Sequence, residues 1–127
     1  MNVPKSPVKI ELSKSAIIHN IHFIRKLIGN EINFTAVVKG NAYGHGIETY
    51  CKIAFDAGVK QFCTYSAYEA YRVWKITKGK SKILIMGHID TCDLEWVIGN
   101  KIEFFVFNYS RVIDAIETAR KIRKKAL

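Results

Sequence analysis

Short apolar runs alternate with helical apolar patterns along most of this chain of 127 residues. Four of these runs begin near positions 34, 61, 83 and 102, and each is followed by a segment whose apolar residues recur at helical spacing. Strands that alternate with helices at such short intervals indicate parallel β-α-β units, because a parallel strand needs a crossover to return beside its neighbour. The pattern therefore predicts an α/β fold with a parallel sheet.

The same pattern predicts where the individual elements lie. The four strands are predicted at 34–38, 61–65, 82–86 and 102–107. A short strand and a helix are predicted before them and four helices after them, at 8–12, 13–28, 50–57, 66–77, 93–98 and 110–125. Ser13, Ser66 and Ser110 can each cap a helix, and Ser66 forms a capping box with Glu69.

The short spacing of the units narrows the choice of architecture. It is typical of a (β/α)8 barrel, although a doubly wound sheet also fits the pattern. Four units are half of such a barrel, and a complete barrel takes roughly 250 residues. We therefore expect residues 13–127 to be the truncated N-terminal half of a TIM-type barrel in a longer protein.

The net charge of +9, from 20 Lys and Arg against 11 Asp and Glu, is unevenly distributed. Five basic residues lie within 118–127, and a second cluster, from Lys75 to Lys82, surrounds Gly79. Neither cluster interleaves aromatic and basic residues as single-strand binders do, so no nucleic-acid partner is predicted. No apolar run reaches the roughly 18 residues of a membrane span, and residues 1–15 lack the apolar core of a secretory signal. We therefore expect a cytoplasmic protein without a membrane partner.

No metal site is predicted from the cysteines or histidines. Cys51, Cys63 and Cys92 are scattered and form no C-x-x-C pair, which is typical of free thiols in a reducing compartment. His19 and His22 have a spacing that can bind metal on a helix, but no third ligand accompanies them. A surface or interface role is expected for both.

The segment AVVKGNAYGHG, residues 36–46, carries the most chemical information. Lys39 follows the first predicted strand at the edge where barrel active sites are built. There an amine beside apolar residues can be partly desolvated, which lowers its pKa and allows Schiff-base formation. From its position alone, however, a lysine that simply emerges into solvent as the strand ends is the favoured interpretation. Tyr43 offers a hydroxyl that can donate to a phosphate, within a glycine-rich turn that is neither a P-loop nor a dinucleotide fingerprint.

Residues 37–46, VVKGNAYGHG, closely resemble the pyridoxal-phosphate attachment motif of alanine racemases, usually written VVKANAYGHG. The resemblance includes a His-Asn pair at 19–20 and the segments 62–73 and 83–87, and it weakens after about residue 90. The chain is therefore identified as similar to the N-terminal part of the alanine racemase family, which comprises fold type III pyridoxal-phosphate enzymes.

This resemblance implies a function for the two residues singled out above. Lys39 would hold pyridoxal 5'-phosphate as a Schiff base and move a proton on one face of the amino-acid Cα, while Tyr43 would help hold the phosphate. A tyrosine from the C-terminal domain of the other subunit would serve the opposite face, so the full-length protein would be a homodimer that interconverts L- and D-alanine for peptidoglycan. The 127-residue piece alone is expected to be inactive, and residues 1–12 are expected to form a strand that pairs with the missing C-terminal domain. Gly40, in place of the usual alanine, is expected to loosen the turn.

Two alternative functions are considered beside the alanine racemase. One is a racemase of broader specificity, such as one that acts on serine. The other is a non-catalytic pyridoxal-phosphate-binding barrel protein, but related homeostasis proteins lack the NAYGHG continuation found at 41–46.

Other residues near the predicted site receive structural interpretations. His45 is expected to pack within the motif loop rather than act as a base. His88 and Asp90 follow the third strand and are expected in turn and helix-cap roles rather than in the pocket. The aromatic run 104–107 is expected in the core, and Glu69 is explained by its capping box.

Overall fold

A computed structural model describes residues 8–127 and contains one parallel four-stranded sheet. Its strands are β1 (Thr35–Val37), β2 (Gln61–Thr64), β3 (Lys82–Ile85) and β4 (Glu103–Phe104), paired in the order β1-β2-β3-β4. A doubly wound sheet reverses its strand order at a switch point, whereas these strands follow the chain order. The sheet therefore has the topology of a half barrel, as the spacing predicted.

Helical segments precede and connect the strands. They are α1 (Lys14–Ile28), α2 (Lys39–Tyr43, a single left-handed turn), α3 (Ile47–Asp56), α4 (Ala67–Thr77), a 3-10 helix (Thr91–Asp93), α5 (Leu94–Gly99) and α6 (Tyr109–Lys121). The predicted caps Ser13 and Ser66 accept hydrogen bonds from the N–H groups of Ala16 and Glu69 at 3.3 and 3.2 Å. Among residues 8–127, no helix is both long and apolar enough to cross a membrane.

The two faces of the sheet differ in burial. Ala36, Phe62 and Ile83 lie in register on the face that packs against the helices, and all three are buried. The opposite face, which would line a closed barrel, is less evenly buried: Val37 is 41% exposed and Leu84 is only partly buried, although Cys63 between them is buried. The alternation arises because successive strand residues point to opposite faces and only one face of a half barrel is covered.

The structure differs from the sequence predictions near both ends of the chain. Residues 8–12 form no strand within the described part, residues 1–7 lie outside it, and the division into domains stays a prediction. β4 has only two residues, and 105–107 are 48 to 60% exposed, so the predicted core role of this run is wrong beyond Phe104. These aromatic side chains are exposed because β4 is the last strand of the sheet and has a neighbour on one side only.

The last helix also begins and ends earlier than predicted. Asn108, not Ser110, caps α6, because its side chain accepts a hydrogen bond from the Arg111 N–H at 2.8 Å. The helix ends at Lys121 instead of near 125, and Arg123 then adopts a left-handed φ of 54°. This conformation does not continue a right-handed helix.

Gly87 marks a close contact between the ends of two strands, and we expect Gly87→Ala to destabilise the fold. Its N–H donates to the Tyr65 carbonyl at 2.9 Å, and an added Cβ would lie 2.3 Å from that oxygen. Relieving the clash requires the ends of β2 and β3 to separate, at a cost of about 1–3 kcal/mol. Urea unfolding measures this loss, with Gly99→Ala as the control because its Cβ meets nothing within 4 Å. Equal stability of the two variants would contradict the predicted clash.

Candidate active site at the carboxyl end of the first strand

Lys39 lies where β1 leaves the sheet. The Val38 N–H still donates to the Cys63 carbonyl of β2 at 2.8 Å, and the backbone leaves the sheet at the next residue, Lys39. The side chain of Lys39 is exposed, which agrees with a lysine that emerges into solvent as the strand ends and not with partial desolvation.

The residues after Lys39 form a left-handed turn, which we define as Lys39–Tyr43. Gly40, Asn41 and Ala42 have φ/ψ values near 56/46°, and Tyr43 has a φ of 54°. This conformation costs roughly 1–2 kcal/mol per residue for L-amino acids, and only glycine adopts it without that cost. Gly40 therefore adopts this conformation without strain, while Ala42 and Tyr43 are held in an unfavourable conformation.

Backbone hydrogen bonds close this left-handed turn. The Ala42 N–H donates to the Val38 carbonyl at 2.8 Å, and the Gly44 N–H donates to the Gly40 carbonyl at 3.0 Å. Ala42 is buried, with 3% exposure, whereas the Tyr43 side chain is 63% exposed. The turn is thus anchored through Ala42 and leaves the phenol of Tyr43 accessible.

Glu69 links the turn to the end of β2. Its Oε1 accepts from the Asn41 N–H at 3.0 Å, and its Oε2 accepts from the Tyr65 N–H at 2.9 Å. The capping-box explanation is therefore only half correct: Ser66 does cap the Glu69 N–H, but the carboxylate binds two other segments. A signal for this contact was present in the sequence: the capping box places Glu69 in the first turn of the helix that follows β2, the strand beside β1.

The side chain of Asn41 is held by a second set of contacts. Its Oδ1 accepts from Arg72 Nη2 at 2.8 Å and from the Ile47 N–H at 3.2 Å. Arg72 also donates from Nε and Nη2 to the Glu48 carboxylate at 2.7 and 2.6 Å. The hydrogen bond from Arg72 lowers the pKa of Glu48, so this largely exposed carboxylate keeps its charge to lower pH than usual. The turn is thus connected to both α3 and α4.

The remaining predicted residues lie outside this network. All histidines are exposed, namely His19, His22, His45 and His88. The packing role predicted for His45 is wrong for its side chain, although its N–H donates to the Ala42 carbonyl at 3.0 Å. His88 Nε2 lies 3.4 Å from Arg111 Nη2, and Asp90 caps the 3-10 helix without a side-chain hydrogen bond. No described side chain from this group forms a hydrogen bond or ion pair with Lys39.

The chemistry of Lys39 and Tyr43 fits pyridoxal 5'-phosphate. A primary amine can bond to the cofactor's aldehyde carbon, and a phenol can donate a hydrogen bond to its phosphate. Both side chains are exposed on one short turn, and neither makes a hydrogen bond or ion pair with another described residue. Both groups are therefore available to a ligand at the carboxyl edge of the sheet.

Sequence comparisons agree with the motif. Residues 12–127 match the family described as alanine racemase, N-terminal domain. Alanine racemase 1 of Caldanaerobacter subterraneus subsp. tengcongensis is 30% identical over 122 residues, which cover 95% of this chain and 29% of that protein. The alanine racemase of Francisella philomiragia is 34% identical over 117 residues and is covered to 31% of its length. The chain thus spans about a third of the relatives that it matches.

Solved structures show the same relationship. Alanine racemase from Bacillus anthracis, solved with bound L-Ala-P, is 30% identical with a TM-score of 0.73, and the match covers 83% of this chain and 27% of that one. Alanine racemase from Clostridium difficile 630 has a TM-score of 0.80 at 24% identity over 88% of this chain and 29% of that one, a likeness of fold. These matches confirm the predicted N-terminal barrel half, and the chain belongs to the family of alanine racemase N-terminal domains.

Proposed function

We propose that the complete protein carrying this chain is a pyridoxal-phosphate-dependent alanine racemase. The observation that carries the proposal is the position of Lys39, whose exposed amine follows β1 within the family's attachment motif. The names of the relatives favour alanine over the serine alternative and over a non-catalytic role. A fold match alone would not decide the substrate, since a histidine racemase from Leuconostoc mesenteroides reaches a TM-score of 0.78 at 22% identity.

Each residue of the turn has a distinct part in this proposal. When bound, pyridoxal 5'-phosphate withdraws electrons from the amino-acid Cα and makes its proton easier to remove. The Lys39 amine takes or returns that proton on one face of Cα. Tyr43 donates a hydrogen bond to the phosphate and thereby fixes the cofactor relative to Lys39.

Racemisation also requires proton transfer on the opposite face of Cα. The described residues near Lys39 include no second group that we assign to this step. We propose that a tyrosine from the C-terminal domain of a partner subunit supplies it, so the active protein is a homodimer. The free state of Cys51, Cys63 and Cys92 supports a reducing, cytoplasmic location, where D-alanine would enter peptidoglycan synthesis.

A stereochemical assay tests this function. The complete protein, purified and supplied with pyridoxal 5'-phosphate, is expected to convert L-alanine to D-alanine and the reverse, both measured by chiral chromatography. L-Serine is expected to react more slowly, and the 127-residue chain alone is expected to be inactive because the second proton-transfer group is missing. Absence of alanine racemisation by the cofactor-loaded complete protein would overturn the proposal, and racemisation by the short chain would overturn the requirement for a partner tyrosine.

A further inference from the structure

The left-handed turn is a strained element that needs support from outside itself. Residues 40–43 all have positive φ values, and two of them are an alanine and a tyrosine. Such strain persists only where surrounding contacts determine the conformation, and it is common at functional sites. The contacts that support the turn therefore decide where the Lys39 backbone lies.

We propose that Glu69 is a positioning residue for Lys39. Its carboxylate receives one N–H from the turn, at Asn41, and one from the residue after β2, at Tyr65. Hydrogen bonds to an ionised carboxylate are roughly twice as strong as those between neutral groups. Glu69 therefore clamps the carboxyl ends of two neighbouring strands, and Lys39 lies two residues before the clamped amide. This role rests on the proposed function only insofar as Lys39 attaches the cofactor.

The geometry requires both carboxylate oxygens. Oε1 and Oε2 each accept from a different backbone N–H, so an amide side chain, with one acceptor oxygen and one NH2 group, can satisfy only one of them. The second N–H would then face a donor of the same kind. Glu69→Gln keeps the size of the side chain and removes one of the two bonds, which makes it a selective probe of the clamp.

Glu69 is not the only residue that holds Asn41 among the described residues. Arg72, three residues later and on the same side of α4, donates to the Asn41 side-chain oxygen at 2.8 Å. Glu69 thus holds the backbone of Asn41 while Arg72 holds its side chain. With Arg72 still present, loss of one Glu69 bond is expected to loosen the turn without unfolding the domain.

Hydrogen–deuterium exchange of the complete protein without cofactor tests the clamp directly. Glu69→Gln is expected to speed exchange in the peptide 39–46 by about tenfold, the effect of losing one charge-assisted hydrogen bond. Peptides from α6 are expected to exchange as in the wild type. The matched control is Glu95→Gln, because Glu95 is exposed and its carboxylate pairs, among residues 8–127, with Lys121 alone, at 3.1 Å. It is expected to leave 39–46 unchanged.

Cofactor binding provides the second readout. The apparent Kd for pyridoxal 5'-phosphate, followed by its visible absorbance, is expected to rise about tenfold in Glu69→Gln and to stay unchanged in Glu95→Gln. If Glu69→Gln does not fold, Glu69→Asp takes its place, because it keeps the charge but shortens the side chain. It is also expected to speed exchange in the peptide 39–46 and to leave peptides from α6 unchanged.

The outcomes separate this inference from the proposed function. Unchanged exchange at 39–46, or faster exchange spread evenly over the whole chain, would overturn the positioning role. If the wild-type protein binds no pyridoxal 5'-phosphate, the proposed function fails, yet exchange in the cofactor-free protein still decides whether Glu69 holds the turn.

Discussion

Replacing Lys39 with alanine in the complete protein is expected to abolish both cofactor attachment and racemisation. In the proposed function this primary amine bonds to the cofactor and moves the proton on one face of Cα, and no other described amine lies on the turn at the end of β1. Loss of a group that serves both purposes is expected to lower kcat by about 10⁴-fold or more. The measurements are the visible absorbance of the bound cofactor and the rate of D-alanine formation.

Two control variants separate the chemistry of Lys39 from its charge. Lys39→Arg keeps a positive charge but offers no primary amine, so it is expected to lose the cofactor absorbance as alanine does. Lys26→Ala removes an exposed lysine from the last turn of α1 and is expected to behave as wild type. Wild-type-like absorbance in Lys39→Ala would show that another residue attaches the cofactor.

The largest effect on stability is expected from Phe62→Ala. Phe62 is fully buried in the middle of β2, in register with Ala36 on one side and Ile83 on the other. Truncating such a side chain removes its hydrophobic contribution and leaves a cavity, at a cost of about 3–5 kcal/mol. Chemical denaturation of the complete protein, followed through the transition that unfolds the barrel domain, measures this loss.

Phe23→Ala is the matched control, because the same side chain is shortened at a position on α1 that is 60% exposed. Its effect is expected to stay below about 1 kcal/mol. A Phe62→Ala variant that loses no more stability than this control would contradict the burial of β2 between its neighbours.

Local signals in the sequence located most elements to within a few residues. β3 follows the continuous apolar run 83–86, which is typical of a strand in a parallel sheet, and Ser13 and Ser66 cap helices as predicted. β4 and α6 were predicted, but their bounds were wrong. There the aromatic run at 104–107 looked like core, but burial depends on a neighbouring strand, which a pattern along one segment does not reveal.

The order of residues along the chain was enough to predict the alternation of strands and helices, the place of Lys39 after β1 and the resemblance of 37–46 to the family motif. The tertiary structure alone decided what holds that motif in place. Asn41 meets Glu69 and Arg72 across 28 and 31 residues of chain, and these contacts exist because parallel pairing brings the carboxyl ends of β1 and β2 to one edge. Periodicity is a property of one segment, whereas a hydrogen bond between two strand ends requires both segments to be in register. The left-handed conformation of the turn could therefore not be predicted from the local sequence, because it depends on these long-range partners.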